Sequence, residues 1–206
     1  MTKKRTATVK RKTSETDILL KLNIDGQGIS KISTPIGFLN HMLTSLSKHA
    51  LLDLELKVKG DTEVDDHHTV EDTGICLGEA LKKALGDKKG IKRFGTAQVP
   101  MDEALCAATI DLSSRPYFDY GQEALLYETK KIKIKGSKQD FDLQLIGEFF
   151  KALVLKAEMT LHIEIKRGKN LHHIYEAMFK AVARALYEAC SLDPRVKNIP
   201  STKGTL

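Results

Sequence analysis

The sequence predicts an α+β fold made by tandem duplication of a β-β-α-β-α unit, with two sheets and helices packed between them. Three observations predict it. The motif His-His-x-x-Glu occurs twice, beginning at His67 and at His172, and every matching position recurs about half a chain later (67 and 172, 68 and 173, 71 and 176). An alternating strand pattern precedes each copy, and a helical apolar pattern follows each copy.

The first half has the patterns of two strands, a helix, a strand and a helix. Residues 5–12 and 16–24 are rich in β-forming residues and predict a hairpin. Residues 36–50 include an apolar helical pattern, 53–59 alternate as a strand does, and 69–85 return to helical spacing. The apolar residues that define the first helix are Phe38, Leu39, Met42, Leu43 and Leu46.

The second half repeats this order of patterns. Residues 94–100 and 104–112 predict two strands, and 143–156 predict a helix. Residues 160–166 alternate as a strand, and 172–190 have helical spacing after a turn that contains glycine. Each half therefore contains one complete β-β-α-β-α unit.

One segment interrupts the repeat. Residues 115–139 are rich in Lys and Tyr, and we expect them to contain one further strand and a loop. We divide the chain into a first half, 1–90, and a second half, 91–206. Since no low-complexity linker separates the halves, we expect them to form one compact domain.

Composition and charge favour a cytoplasmic protein with a small anionic substrate. No apolar run approaches the roughly 20 residues that span a bilayer, and the basic N-terminus lacks a signal-peptide core. The formal charge of +6 would suit nucleic acid, but the basic residues are dispersed and tryptophan is absent. A phosphate ester accounts for the charge equally well. We therefore expect no nucleic-acid or membrane partner, and buried, reduced thiols at the three separated cysteines.

The duplicated motif predicts metal ligands. Residues four apart share one helix face, so His67 can act with Glu71 and His172 with Glu176, while His68 and His173 point about 100° away. One helix start can therefore supply ligands to two ions, and imidazole with carboxylate suits Mn, Fe or Zn. The alternative is two exposed helix starts that carry polar residues for their own stability.

Two further ligands are predicted from position. His41 lies on the first helix within the same half as the first motif, and Glu148 is the polar residue at the comparable helix start of the second half. We expect these two residues to be matched ligands. His49 and His162 are weaker candidates, and His162 could instead pack on its strand beside a ligand.

Cations and hydroxyls in loops are candidates for binding a phosphate. The C-terminal tail offers Ser201 and Lys203, with a glycine that permits close backbone approach. Arg93 begins a strand, Arg115 follows two serines, and Lys180 lies about two turns after His172 on one helix. For each of these cations considered alone, an exposed surface residue is the better interpretation.

Longer stretches resemble the imidazoleglycerol-phosphate dehydratase family of histidine biosynthesis. They run in the family's order from about residue 15 to the C-terminus, so the resemblance covers nearly the whole chain. They are residues 38–43 (FLNHML), 65–72 (DDHHTVED), 100–105 (PMDEAL), 111–116 (DLSSRP), the second His-His-x-x-Glu and 200–204 (PSTKG).

The resemblance implies a hydro-lyase that converts D-erythro-imidazoleglycerol phosphate to imidazole acetol phosphate. It implies two Mn²⁺ ions per active site, with other divalent ions as alternatives, and a homo-oligomeric 24-subunit shell built from trimers with sites at subunit interfaces. It also makes Glu15 a substrate-contacting carboxylate. The residues that it assigns to the phosphate are Arg93, Arg115, Lys180, Ser201 and Lys203.

Three positions depart from the family's pattern. Asn40 replaces the usual Asp beside His41, Ser45 replaces a common Gln, and Glu148 replaces a His that binds metal in many members. We expect a changed hydrogen bond at Asn40 and no Gln-type substrate contact at Ser45. A carboxylate at 148 remains a competent Mn²⁺ ligand.

The implied reaction removes a hydroxyl from C3 and a proton from C2. Because no carbonyl flanks C2, the substrate's imidazole must relay electrons through a metal-stabilised imidazolate and a diazafulvene intermediate. Glu71 or Glu176 would transfer the proton, with Asp102 or Glu15 as further candidates. Two rival functions remain open, a two-metal phosphoesterase and a basic metal-binding or nucleic-acid-binding protein without catalysis.

Overall fold

The first sheet is formed by residues before position 61. The computed structural model describes residues 4–120, 133–136 and 140–206. Strands β1 (Thr6–Lys12) and β2 (Thr16–Asn23) pair as the predicted antiparallel hairpin. Strand β4 (Asp53–Gly60) is antiparallel to β2, and the short strand β3 (Ser30–Ser33) is parallel to β4. The resulting order is β1-β2-β4-β3.

The second sheet has the same arrangement. Its strands are β5 (Phe94–Met101), β6 (Ala104–Asp111), β7 (Tyr117–Tyr120) and β10 (Thr160–Arg167), in the order β5-β6-β10-β7. As in the first sheet, the first two neighbouring pairs, β5 with β6 and β6 with β10, are antiparallel, and the last pair, β10 with β7, is parallel. Between β7 and the next helix, a short ladder joins β8 (Lys133–Ile134) to β9 (Phe141–Asp142).

The described residues form four helices that lie between the two sheets. They are α1 (Gly37–Ala50), α2 (His67–Leu85), α3 (Gln144–Ala157) and α4 (Leu171–Cys190). Helix α2 covers β1 and β2, whereas α4 covers β5 and β6. Across the two halves, α2 packs on α3 and α1 packs on α4.

Glycines allow the closest of these helix contacts. A Cβ atom at Gly74 would lie 2.5 Å from the carbonyl oxygen of Phe149, and one at Gly78 would lie 2.5 Å from that of Leu153. Larger residues at either position would force α2 away from α3. This packing between halves brings helix starts from both repeats to one side of the molecule.

The predicted elements all occur within one or two residues of their expected bounds, and the α+β duplication is confirmed. The repeat unit contains one strand more than predicted. Strand β7 is the further strand expected within 115–139, and the two-residue strand β8 in the same segment was not predicted. Strand β3 was missed because Ser30–Ser33 has only one apolar residue and depends on pairing with β4. The rest of the expected insertion lies partly outside the described residues, at 121–132 and 137–139.

Buried side chains from both sheets and all four helices form one continuous core. The free thiols of Cys76, Cys106 and Cys190 lie in this core, as predicted, and burial raises the pKa of each to about 12. Within the described residues, no helix has the length and apolar character needed to cross a membrane. The core spans both halves, which is consistent with their packing as one unit.

Candidate active site

A hairpin turn and an asparagine hold the start of α4. The side-chain oxygen of Asn170 accepts hydrogen bonds from the backbone N–H groups of His172, at 2.9 Å, and His173, at 3.4 Å. The Oε1 atom of Glu103, on the turn between β5 and β6, accepts from the backbone N–H groups of Asn170 and Lys169. The second His-His pair is therefore attached to a fixed backbone.

The start of α2 has a comparable arrangement. The Oδ1 atom of Asp65 accepts a 2.7 Å hydrogen bond from the backbone N–H of His67. One turn later Glu71 brings its carboxylate to 3.6 Å from His67 Nε2, which is the i,i+4 pairing that the motif predicts. Both histidine motifs therefore begin helices and share a helix face with their glutamates.

Three predicted ligands meet at the start of α4. The Oε2 atom of Glu176 lies 3.0 Å from His41 Nε2 and 3.2 Å from His172 Nε2. These residues can offer three ligand atoms that lie within 4.8 Å of one another. His41 comes from α1, so this cluster joins the two halves of the chain. Two imidazole nitrogens and one carboxylate oxygen suit a divalent ion of intermediate softness.

Lys180 completes the surroundings of this carboxylate. Its Nζ lies 2.7 Å from Glu176 Oε1, and the exposed fractions of the two side chains are only 20% and 12%. Burial opposes ionisation of Glu176, but hydrogen bonds from Lys180 and His41 outweigh it and lower its pKa to about 2. Glu176 is consequently an anion at neutral pH.

The second histidine of each motif lies between two carboxylates. His68 Nδ1 lies 3.0 Å from Asp61 Oδ2, and its Nε2 lies 3.8 Å from Glu15. Because a carboxylate can only accept, the hydrogen bond with Asp61 places the ring proton on Nδ1 and leaves the Nε2 lone pair available. The same hydrogen bond raises the pKa of His68.

His173 repeats this geometry in the second half. Its Nδ1 lies 2.8 Å from Glu103 Oε2, and its Nε2 lies 3.8 Å from Asp102 Oδ2. The hydrogen bond from His173, with the two backbone N–H groups described above, lowers the pKa of Glu103 to about 2, and Glu103 raises the pKa of His173. Each ring is held with one nitrogen free to bind a metal.

Glu148 is not part of these clusters. Its carboxylate lies 3.7 Å from Lys151 and lines a separate pocket beside Tyr117 and Phe118. Within one copy of the chain it therefore does not join His41, and its predicted role as a matched ligand stays a prediction. His162 lies 3.2 Å from Asp119, away from the three-ligand cluster.

A cleft of about 520 Å³ opens beside the cluster. His41 and His172 line it together with Asp66, the residue that immediately precedes the first His-His pair. The starts of α1, α2 and α4 therefore border one cleft, although His67 and His68 belong to separate side-chain groups.

Asn40 and Ser45, two of the positions that depart from the family's pattern, both lie among buried contacts or backbone hydrogen bonds. The amide of Asn40 bonds to the backbone of Thr34 in both directions, accepting from its N–H at 2.9 Å and donating to its carbonyl at 3.1 Å. An Asp at 40 could make only the first of these bonds. Ser45 is buried, and its hydroxyl has no hydrogen-bond partner within the described residues.

The predicted phosphate residues fall into two groups. The guanidinium of Arg93 donates to both carboxylate oxygens of Asp111, at 2.7 and 3.1 Å, and to the carbonyl of Pro200 at 2.9 Å. Arg115 is largely exposed and lies 3.8 Å from the same Asp111. The contact with Pro200 brings the C-terminal tail, which contains Ser201 and Lys203, to Arg93, whereas Lys180 lies at the Glu176 cluster.

Four residues of this region were missed by sequence reasoning. Asp61 and Glu103 orient the second histidines, Asn170 caps α4, and Asp111 organises the arginines. Asn170 had a local signal, since Asn before a helical pattern is a typical N-cap, and Glu103 and Asp111 stand in two of the family-like stretches without having been assigned a role. The others act across loops, where spacing in the sequence says nothing about proximity.

The family model that matches this chain and the similar proteins all have the same name, imidazoleglycerol-phosphate dehydratase. The family model for imidazoleglycerol-phosphate dehydratase matches residues 34–186. The imidazoleglycerol-phosphate dehydratase of Geobacillus sp. (strain WCH70) is 52% identical over 202 residues, which cover 98% of this chain and 99% of that relative. The enzyme of Lachnoclostridium phytofermentans is 54% identical, with 98% of each chain covered.

Solved structures with the same description share the fold. Imidazoleglycerol-phosphate dehydratase from Staphylococcus aureus N315 superimposes with a TM-score of 0.77 and 38% identity, covering 91% of this chain and 99% of that one. The Pyrococcus furiosus protein, solved in complex with (S)-C348, also has a TM-score of 0.77. It is 34% identical and is covered completely, by 96% of this chain.

Proposed function

The chain belongs to the imidazoleglycerol-phosphate dehydratase family, a family of hydro-lyases in histidine biosynthesis, and from this premise we propose a metal-dependent dehydration mechanism. The substrate is D-erythro-imidazoleglycerol phosphate and the product is imidazole acetol phosphate. The observation that carries the metal dependence is the cluster of His41, His172 and Glu176.

The donor set fits a pair of Mn²⁺ ions, with other divalent metals as alternatives. His41, His172 and Glu176 would contribute to one site, and the free Nε2 atoms of His68 and His173 offer further ligands. The complete proposed ligand set is His41, His67, His68, Glu71, Glu148, His172, His173 and Glu176. When bound, divalent ions would act as Lewis acids on the substrate's imidazole ring and favour its role as an electron relay.

Carboxylates beside the ligands would handle the C2 proton. Glu176 is tightly held and has a pKa of about 2, so it is a weak base and better suited to binding metal. Glu71 is half-exposed and, among the described residues, pairs with His67 at 3.6 Å, which leaves it more available for proton transfer. Glu15 and Asp102, each 3.8 Å from a motif histidine, are the remaining candidates.

Basic residues would bind the phosphate end of the substrate. Arg93 and Arg115 converge on Asp111, and the carbonyl of Pro200 attaches the tail to Arg93. This arrangement supports phosphate binding by both arginines together with Ser201 and Lys203, because guanidinium groups suit the geometry of a phosphate dianion. Lys180, close to Glu176, would contact the substrate between the metal and phosphate ends.

Among the described residues, one chain brings three candidate ligands together in the cluster, which is too few for a full coordination sphere. Glu148, His67 and His68 lie in other groups. We propose that a second copy of the chain supplies the missing ligands, so that metal binding and assembly are coupled. The assembly is a cytoplasmic homo-oligomer, a 24-subunit shell built from trimers.

The reaction is tested by measuring ketone formation from imidazoleglycerol phosphate. Chelator-stripped protein should be inactive and should regain activity when Mn²⁺ is added. His172→Ala should lose activity and bind less Mn²⁺ per subunit, while His162→Ala, which alters a histidine outside the three-ligand cluster, should do neither. Full activity of the stripped protein, or release of inorganic phosphate in place of the ketone, would contradict the proposal.

Assembly is tested separately by sedimentation. The stripped protein should sediment as smaller species, trimers being expected, and Mn²⁺ should restore a large shell. A His68→Ala protein and a His172→Ala protein, each inactive, should regain activity when mixed during reassembly, because some interfaces would then contain only intact motifs. Monomers of unchanged size with and without Mn²⁺, together with an inactive mixture, would place the whole site within one subunit.

A further inference from the structure

A buried lysine lies behind the two arginines. The Lys88 side chain is only 5% exposed, and its Nζ donates to the carbonyl of Leu112 at 3.1 Å and to the hydroxyl of Ser114 at 2.8 Å. Lysines are almost never fully buried unless they are paired with an acid. In the part of the chain that the structure describes, no carboxylate oxygen lies within 4.0 Å of this ammonium group. Burial lowers the pKa of Lys88.

The backbone around this lysine is strained. Lys88, Arg93 and Ser114 all have positive φ angles, of 58°, 73° and 59°. They are three of the six non-glycine residues with positive φ among the described residues. Residues held in this region persist only where surrounding contacts determine them, and they concentrate at functional sites. Half of the strained non-glycine residues that the structure describes therefore belong to one connected group of hydrogen bonds around Lys88.

Those contacts connect Lys88 to both arginines. The carbonyl of Leu112 accepts from Lys88, and its backbone N–H donates to the carbonyl of Arg93 at 3.1 Å. On the other side, the hydroxyl of Ser113 bonds to the backbone N–H and carbonyl of Arg115, each at 3.3 Å. The turn of residues 112–114 thus lies directly between Lys88 and the two guanidinium-bearing residues.

We propose that Lys88 is a positioning residue for the phosphate-binding end of the active site. Its ammonium group holds the turn of residues 112–114 through the Leu112 carbonyl and the Ser114 hydroxyl. Arg93 and Arg115 are therefore already oriented before the substrate's phosphate binds. Without those two hydrogen bonds the strained turn can relax, and binding must then restore the arginine geometry at a cost to affinity. The inference rests on the proposed function, because it requires that Arg93 and Arg115 bind the phosphate of the substrate.

The test compares Lys88→Met, which keeps the length and removes the donors, with Lys88→Arg, which keeps a charged donor. Lys89→Met is the matched control, because Lys89 is exposed and its ammonium group pairs with Asp87 at 2.9 Å. In Mn²⁺-loaded enzyme, Lys88→Met should raise KM and the inhibition constant of inorganic phosphate in parallel, by about ten-fold. The kcat and the Mn²⁺ content should change by less than two-fold, and Lys88→Arg should recover most of the loss.

Unchanged phosphate inhibition in a folded Lys88→Met protein would overturn the proposal, as would a fall in kcat alone. If Lys88→Met does not fold, Ser114→Ala removes one of the two acceptors and should shift KM and phosphate inhibition in the same direction by a smaller factor. Calorimetric titration with inorganic phosphate needs no turnover, so a protein that binds phosphate in a Lys88-dependent manner but does not dehydrate the substrate would refute the proposed function alone.

Discussion

Replacing Glu176 by Gln should weaken both the metal-free cluster and its affinity for Mn²⁺. The change preserves shape but removes the negative charge that contacts His41, His172 and Lys180 at 3.0, 3.2 and 2.7 Å. The hydrogen bond with Lys180 is charge-assisted and contributes about 1.5–3 kcal/mol. Little of this is lost to solvent screening, because the two side chains are only 12% and 20% exposed.

The stability loss converts to a measurable shift in melting temperature. For a chain of this length, 1 kcal/mol lowers Tm by about 2–4 °C, so metal-free Glu176→Gln should melt roughly 3–12 °C below the parent. Loss of an outer partner of a metal ligand typically costs 10–100-fold in affinity. Removing a carboxylate ligand should therefore raise the Kd for Mn²⁺ by about 100-fold or more.

Scanning calorimetry of chelator-stripped protein and isothermal titration with Mn²⁺ measure the two effects separately. Glu164→Gln is the control, since Glu164 is an exposed strand residue that pairs with Lys166. It should change neither quantity beyond experimental error. If Glu176→Gln binds Mn²⁺ with the parent's affinity and keeps its activity, Glu176 is not a ligand and the reasoning from the three-residue cluster is wrong.

Three further outcomes are expected. Lys203→Ala should raise KM by about ten- to a hundred-fold at unchanged Mn²⁺ content, and the exposed control Lys197→Ala should not; equal KM values would remove the tail from the phosphate site. Asn40→Asp should lower the free energy of unfolding by about 0.5–1.5 kcal/mol through loss of its bond to the Thr34 carbonyl, and an unchanged Tm would contradict this. Burial opposes ionisation of Asp53, yet backbone N–H groups hold its pKa below the usual 3.8. The ionised side chain therefore stabilises the fold above pH 3.8, and this stabilisation is lost as the pH falls through the lower pKa of the folded state. The Tm difference between the parent and Asp53→Ala should narrow in acid, and a pH-independent difference would refute the assignment.

Local geometry explains why much of the fold could be predicted. Apolar periodicity is a property of neighbouring residues, so it located the helices α1 to α4 and the longer strands to within one or two residues. Strand β3 escaped detection because four residues with one apolar side chain carry no usable period. Its conformation is decided by a parallel partner, β4, that lies more than twenty residues away in the sequence.

The i,i+4 pairs of the motif illustrate what the sequence by itself determined. Once His67 and His172 begin helices, the 3.6-residue period places Glu71 and Glu176 on their faces, whatever the rest of the chain does. The repeat, the helix starts and the imidazole–carboxylate chemistry followed from the order of residues alone. The separation of Glu148 from His41 did not, because these residues lie on different helices.

Only the tertiary structure decided which groups from distant segments meet. Helix packing between the two halves brings His41 onto Glu176, and the hairpin and loop turns bring Glu103 and Asp61 to His173 and His68. Such contacts depend on the angles and distances at which whole elements pack, and these are set collectively by the shared core rather than by any local period. The residue types at the site are therefore written in the sequence, whereas their partners arise from packing.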